Sequence, residues 1–187
     1  MRIVGGDLKG RVFKGKLPNG VRPTSELVRE SLFNILNNLI DFEGITVLDL
    51  CAGTGALGIE AISRGADISV FVDINPKVCS LIKNITTYFN IEERKCRIVN
   101  FDALKITQNN HIISNLPKFD IIFFDPPYLK GIYNTIINNI VVNSLLSDIG
   151  LLVVESGFKV EFELPVQLEI IKEKKYGDSN LLILGKI

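Results

Sequence analysis

The sequence predicts an α/β fold in which a mostly parallel sheet is covered by helices on both faces. Short apolar segments alternate with helix-forming segments along most of the chain. Several of those segments are apolar almost without a break, as in Val47-Leu48, Ile121–Phe124 and Leu151–Val154, and each alternation is punctuated by glycine, asparagine or aspartate. A strand buried on both faces loses the polar–apolar alternation of a half-exposed strand, and a crossover helix is what brings the next strand back in parallel. A chain of 187 residues buries roughly 70% of its unfolded surface in such a fold and needs no disulfide or metal staple.

Residues 1–22 hold five glycines, one proline and short alternating segments, and are expected to form a small hairpin or arm outside the main core, with residues 23–187 as the main domain. Arg22-Pro23-Thr24 opens a helix, with Thr24 as N-cap and Glu26 and Glu30 near its positive end. Leu27/Val28, Ser31/Leu32, Ile35/Leu36 and Leu39 give that helix an apolar stripe, and Gly44 ends the unit. Thr46–Leu50 follows as a strand, then Ala56–Arg64 as a helix stopped by Gly65. Ile68–Asp73 is the second strand. Asn75-Pro76, a cap followed by proline at the first helical position, starts a helix to about Phe89. Lys95–Asn100 and Phe119–Phe124 are strands three and four, Gly131–Leu146 a helix, and Gly150–Glu155 strand five. Leu168–Lys174 and Leu181–Gly185 close the sheet as an antiparallel pair, which makes seven strands.

Composition removes several function classes. With 47% hydrophobic and 22% charged residues, the chain has enough apolar surface to fold and no net charge to swell it. Its apolar runs fall far short of the ~20 residues that span a bilayer. Residues 1–6 lack the apolar core of a secretory signal, so a cytoplasmic protein is expected; a monomer is expected as well. Cys51, Cys79 and Cys96 are too widely spaced for a metal or redox pair, and fit reduced thiols acting as small hydrophobes. His111 is the only histidine, placed in a polar stretch that reads as surface loop; no histidine-based triad or zinc site can be assembled around it. Residues 1–22 carry six bases (Arg2, Lys9, Arg11, Lys14, Lys16, Arg22) against Asp7, leaving 15 bases and 20 acids in the rest. A basic arm on an acidic body fits a polyanionic partner or, equally on charge alone, a solvated hairpin.

In doubly wound sheets, ligands bind at the carboxyl ends of the strands where strand order reverses. The first strand carries Asp49 and runs into Cys51-Ala52-Gly53-Thr54-Gly55-Ala56-Leu57-Gly58. The second ends in Asp73, the third runs into Asp102, and the fourth into Asp125-Pro126-Pro127-Tyr128. Gly53 to Gly58 matches the dinucleotide pattern G-x-G-x-x-G, with Asp73 18 residues beyond Gly55. Asp49 at the foot of that loop repels a pyrophosphate, however, and attracts a cofactor bearing an ammonium and a sulfonium. S-adenosylmethionine has both, and a ribose diol for Asp73. The two prolines after Asp125 stiffen the turn, so that the Asp125 carboxylate and the Pro126 carbonyl can accept both hydrogens of an exocyclic amino group, while Tyr128 offers a flat face to an extruded base.

The DPPY tetrapeptide after such a glycine loop resembles the signature of methyltransferases that modify exocyclic nitrogens. More narrowly, the chain resembles the RsmD family, bacterial 16S ribosomal RNA guanine-N2 methyltransferases. Matching stretches are Met1–Gly6 with Lys9-Gly10-Arg11, Arg22-Pro23-Thr24 with Val28–Leu36, Val47–Leu50 with Ala52–Ala61, Asp125–Tyr128, and Lys175–Asp178. The resemblance implies a Rossmann-like class I methyltransferase sheet with an N-terminal extension. It implies that Asp49, Ala52, Gly53, Thr54 and Gly55 hold the methionine part of S-adenosylmethionine, Asp73 the ribose and Asp102 the adenine amine. Asp125 and Pro126 would orient guanine N2, with Tyr128 stacked on the base. Arg2, Lys9, Arg11, Arg22 and Arg29 would contact RNA of the small ribosomal subunit, without metal or membrane. Two positions depart from the family pattern: Leu27 replaces an expected base, and Asp73 a longer glutamate. Arg29 and Glu30 also read as a helix-surface pair, Glu155 as partner of a basic loop or helix start, and Tyr176 as a candidate site-lining aromatic. Competing readings are an adenine-N6 DNA or protein glutamine methyltransferase, a nicotinamide-dependent oxidoreductase, and a non-catalytic RNA-binding module.

Overall fold

The computed structural model describes residues 1–18, 25–113, 115–126, 132–157 and 162–187. In chain order its elements are α1 (Glu26–Leu36), β1 (Thr46–Leu50), α2 (Ala56–Ser63), β2 (Ile68–Asp73), α3 (Pro76–Tyr88), a 3-10 turn (Glu93–Lys95), β3 (Cys96–Asn100), α4 (Ala103–Gln108), α5 (Asn110–Ile113), β4 (Phe119–Phe124), α6 (Ile132–Val142), β5 (Leu146–Gly157), β6 (Leu168–Tyr176) and β7 (Ser179–Lys186). The seven strands form one sheet in the order β3-β2-β1-β4-β5-β7-β6. β1 to β5 pair in parallel, and β7 runs antiparallel to both β5 and β6. Strand order therefore reverses between β1 and β4, which sit side by side at the centre. This is the predicted Rossmann-like sheet of class I methyltransferases.

Because alternate residues of a strand face opposite ways, the central strands feed two cores. Leu48, Leu50, Ile122, Phe124, Leu152 and Val154 pack under α4 and α6. Val47, Ile121, Phe123, Leu151 and Val153 pack under α1 and α2. Burying a side chain of this size is worth about 1.5–3 kcal/mol, so the apolar strand runs stabilise the sheet from both sides. No helix among the described residues is long and apolar enough to cross a membrane.

Several local expectations are corrected. Ser25, not Thr24, caps α1: its Oγ accepts from Val28 N at 3.2 Å. Thr24 itself lies outside the described residues. The buried stripe of α1 is Arg29, Leu32, Phe33 and Leu36, while Leu27 is 73% and Leu39 42% exposed. The helix is thus rotated from the predicted face, and it can be because a buried acid receives Arg29. Helices α4 and α5 were not expected. Asp102 starts α4 as N-cap by accepting from Leu104 N and Lys105 N, and His111 falls in α5, exposed, rather than in a loop. β5 begins four residues early, at Leu146 rather than Gly150, across a register shift between Phe119 and Ile121.

Residues 1–13 turn back on themselves, closed by Ile3 N to Arg11 O (3.0 Å), Gly10 N to Ile3 O (2.9 Å) and Phe13 N to Met1 O (2.8 Å). This hairpin does not stand off the body. Ile3 is buried with Ile59, Ile62, Phe71 and Ile82, and α2 receives the hairpin backbone. Val4 N donates to Glu60 Oε2 (3.0 Å), Leu8 N to Ser63 Oγ (2.9 Å), and Ser63 Oγ to Gly5 O (2.6 Å).

Candidate active site

Register decides which strand ends become neighbours. Leu50 lies between Val72 and Phe124, and Phe124 is paired with Val154. The residues that follow these four are Cys51, Asp73, Asp125 and Glu155, so they share one edge of the sheet at the point where strand order reverses. Burial, and then the charges of Asp73, Asp125, Asp49 and Asp102, push the Cys51 thiol at this edge up to about 12. The four acids predicted at strand ends do meet around one position.

The turn leaving β1 is built for close approach. Cys51, Gly53 and Gly55 have φ of 62°, 54° and 69°; the left-handed form is free of strain at glycine and costs Cys51 about 1–2 kcal/mol. Ala52 N donates to Val72 O (3.0 Å) and Gly55 N to Ala52 O (2.7 Å), which folds the turn back on β2. Gly58 lies deeper, where an added Cβ would come within 2.4 Å of the Phe71 ring. It is the third glycine of the pattern, and it lets α2 pack tightly on β2.

Each carboxylate has a defined setting. Asp49 is 2% exposed, and its Oδ2 accepts from Gly58 N at 3.1 Å. Burial raises its pKa well above the ordinary value despite that bond, and Asp125 and Asp73 push the same way. Asp73 ties loop to strand: Oδ2 accepts from Gly53 N (3.1 Å) and Oδ1 from Asn75 N (2.8 Å). Asp102 uses Oδ1 for its cap. Asp125 is half-buried, followed by buried Pro126; burial, then the charge of Glu155, lifts its carboxyl to about 7. Glu155 is raised by burial and held back by a hydrogen bond with Ser179. Among the described residues its neighbours are a hydroxyl and a second acid.

Of the remaining predicted site residues, Ala52 and Thr54 are buried within the turn, whereas Tyr128 and Arg22 lie outside the described residues. Arg2, Lys9 and Arg11 are exposed on the hairpin, and Arg11 Nη1 also donates to Phe89 O at 2.8 Å. Arg29 must be reassigned. It is 1% exposed, its Nη2 donates to Arg2 O, and its Nε lies 3.7 Å from Glu60 Oε2, so it touches neither solvent nor RNA and forms no surface pair with Glu30. Tyr176 bonds Ser31 Oγ through its hydroxyl at 2.5 Å and pairs in register with Ser179, the residue that bonds Glu155, so it flanks the rim on the β6 side. Sequence reasoning missed Glu60, the fully buried acid that pairs with Arg29 and Arg64. It was signalled as the only charge in the otherwise apolar α2.

Similarity to known proteins agrees with this geometry. The family model described as Conserved hypothetical protein 95 matches residues 1–185. The ribosomal RNA small subunit methyltransferase D of Escherichia coli K12 is 37% identical over 166 residues, covering 88% of this chain and 78% of its own. The enzyme of that name from Haemophilus influenzae is 31% identical over 180 residues, covering 95% and 89%. Among solved structures, the Escherichia coli protein yhhF superposes with a TM-score of 0.84 at 32% identity, over 100% of this chain and 97% of that one. Motif, topology and full-length similarity coincide, and the chain belongs to the RsmD family, that of ribosomal RNA small subunit methyltransferase D.

Proposed function

We propose that the protein transfers a methyl group from S-adenosylmethionine to the exocyclic N2 of one guanine in 16S ribosomal RNA, acting on the small ribosomal subunit. The observation that carries this is the meeting of Asp49, Asp73, Asp102 and Asp125 around the β1 turn, at the strand-order reversal and next to Pro126. The donor set suits that cofactor: a positively charged ligand relieves the mutual repulsion of crowded carboxylates, and the ribose and adenine carry hydroxyl and amine donors for Asp73 and Asp102. The naming of the relatives as small subunit methyltransferases supplies the RNA part.

When bound, S-adenosylmethionine supplies an electrophilic methyl group. The protein's own task falls to the Asp125–Pro126 corner. Guanine N2 is a poor nucleophile because its lone pair is delocalised into the ring. The Asp125 carboxylate and the Pro126 carbonyl accept hydrogen bonds from its two hydrogens, turn the nitrogen towards tetrahedral geometry and stabilise the positive charge that develops on it, and the surplus N2 proton then passes to the Asp125 carboxylate. Tyr128 stacks on the extruded base and holds its plane. A catalytic thiol is not needed, in keeping with a Cys51 thiol that stays protonated at neutral pH.

The test is methylation of small subunits from cells lacking the protein, with labelled donor and nucleoside mass spectrometry. N2-methylguanosine at a single site is expected. Asp125→Ala should cut transfer at least about 100-fold while donor affinity stays within a few fold. Methylation of adenine, of protein, or of nothing overturns the assignment, and equal loss of transfer and donor affinity removes Asp125 from its role.

A further inference from the structure

The hairpin does not end at Arg11. Its continuation lies antiparallel along α3. Arg11 Nη1 holds Phe89 O at the C-terminal end of the helix and stacks over the Phe89 ring at 5.8 Å. Phe13 meets Tyr88 edge-on at 5.4 Å. Lys16 and Pro18 reach the opposite end, where with Pro76, Lys77, Ser80 and Asn84 they line a cleft of about 330 Å³.

The charge on this joint surface is of one sign. Residues 8–18 hold Lys9, Arg11, Lys14 and Lys16, and α3 holds Lys77 and Lys83; neither stretch contains an acid. All six bases are exposed. The nearest acids past α3 are Glu92 and Glu93, and Glu92 is paired with Arg94 at 2.9 Å. The 13 residues of α3 extend about 20 Å, so the bases are strung out rather than gathered on one point. A single phosphate suits a cluster, whereas a row of separated cations suits an extended polyanion. α3 begins three residues after Asp73, which brings one end of the row to the acidic rim.

We propose that the exposed face of α3, together with residues 14–18 laid along it, seats the RNA backbone, with Lys16, Lys77 and Lys83 contacting phosphates and Ser80 and Asn84 as polar neighbours of the track. The proposal rests on the assignment of ribosomal RNA as substrate and extends the RNA surface beyond the arm. Lys14 and Arg11 continue the track towards the hairpin.

The test compares two triple variants for binding to small subunits between about 50 and 200 mM salt. In Lys16→Gln/Lys77→Gln/Lys83→Gln, the log–log salt slope should fall by about 2, since each lost phosphate contact removes roughly 0.7–0.9, and affinity should drop about tenfold or more. Arginine at the same three positions should restore both. Lys172→Gln/Lys174→Gln/Lys175→Gln removes the same charge from β6, at the far edge of the sheet, and should leave the slope near wild type. Equal effects of the two variants, or an unchanged slope in the first, overturn the proposal. So does a loss confined to assembled subunits with naked 16S RNA bound as before, which assigns the face to a ribosomal protein. Methyl incorporation is followed in parallel: wild type that binds through these lysines yet methylates nothing refutes the enzymatic assignment and leaves the surface standing.

Discussion

Asp125 and Glu155 are held side by side by the β4–β5 register, and neither can ionise without raising the other. At neutral pH the pair resists carrying two charges. The proposed role of Asp125 needs its anionic form, so kcat/KM should rise with pH through about 7, the value to which its carboxyl is lifted. Glu155→Gln removes a like charge and should move that rise to lower pH. Burial, the larger cause of the raised Asp125 carboxyl, remains in that variant, so the rise shifts without vanishing. A pH–rate profile unchanged by Glu155→Gln would show that Glu155 only holds Ser179.

Between elements, the decisive contact is the buried cluster of Arg29, Glu60 and Arg64 joining α1, α2 and the hairpin. Glu60 satisfies one oxygen on Arg64 and offers the other to Val4 N and Arg29. Arg29 passes the connection on to the carbonyl of Arg2, so it positions the residue whose side chain was expected on RNA. Breaking a buried pair costs about 3–5 kcal/mol; without Arg29, Glu60 keeps Arg64 and Val4 N while the Arg2 carbonyl loses its donor, which puts the loss at the low end. Arg29→Met should therefore lose about 3 kcal/mol in urea unfolding and speed hydrogen exchange at Val4. A loss below about 0.5 kcal/mol, typical of exposed pairs, would contradict the burial.

Across the whole molecule, the acidic rim is bound to weaken the ligand-free fold. Asp49, Asp125 and Glu155 all have carboxyls raised above their ordinary values. For a raised carboxyl the native state binds the proton more tightly than the unfolded one. Its stabilising contribution is complete below the ordinary carboxylate range and is lost as pH climbs through the raised native value. The ligand-free protein should accordingly melt at lower temperature at pH 8 than at pH 5. Asp49→Asn keeps an acceptor for Gly58 N but removes the buried charge, so it should narrow that gap, raise the pH 8 midpoint by about 2–4 °C per kcal/mol recovered, and weaken S-adenosylmethionine binding. Thermal scans at the two pH values check the first outcome and calorimetric titration the second. A midpoint at pH 8 equal to or above that at pH 5 would contradict the raised carboxyls.

The sequence by itself determined the mostly parallel sheet, its closing antiparallel pair and the carboxylates at strand ends. Those follow from local causes: apolar runs that can be buried on both faces, glycines where the backbone must turn, and acids where strands stop. It also placed Asp49, Asp73, Asp102 and Asp125 on one rim, because parallel strands end on one side. Tertiary structure decided whatever depended on a partner distant in the chain. Arg29 looks exposed by composition and is buried because Glu60, 31 residues away, is buried opposite it. The basic arm looks detached and is docked because Ile3 and the backbone of Val4 to Leu8 find α2. Glu155 became a neighbour of Asp125 only through strand pairing. Burial and charge pairing are properties of juxtaposition, and juxtaposition across the fold is set by packing rather than by any one stretch of residues.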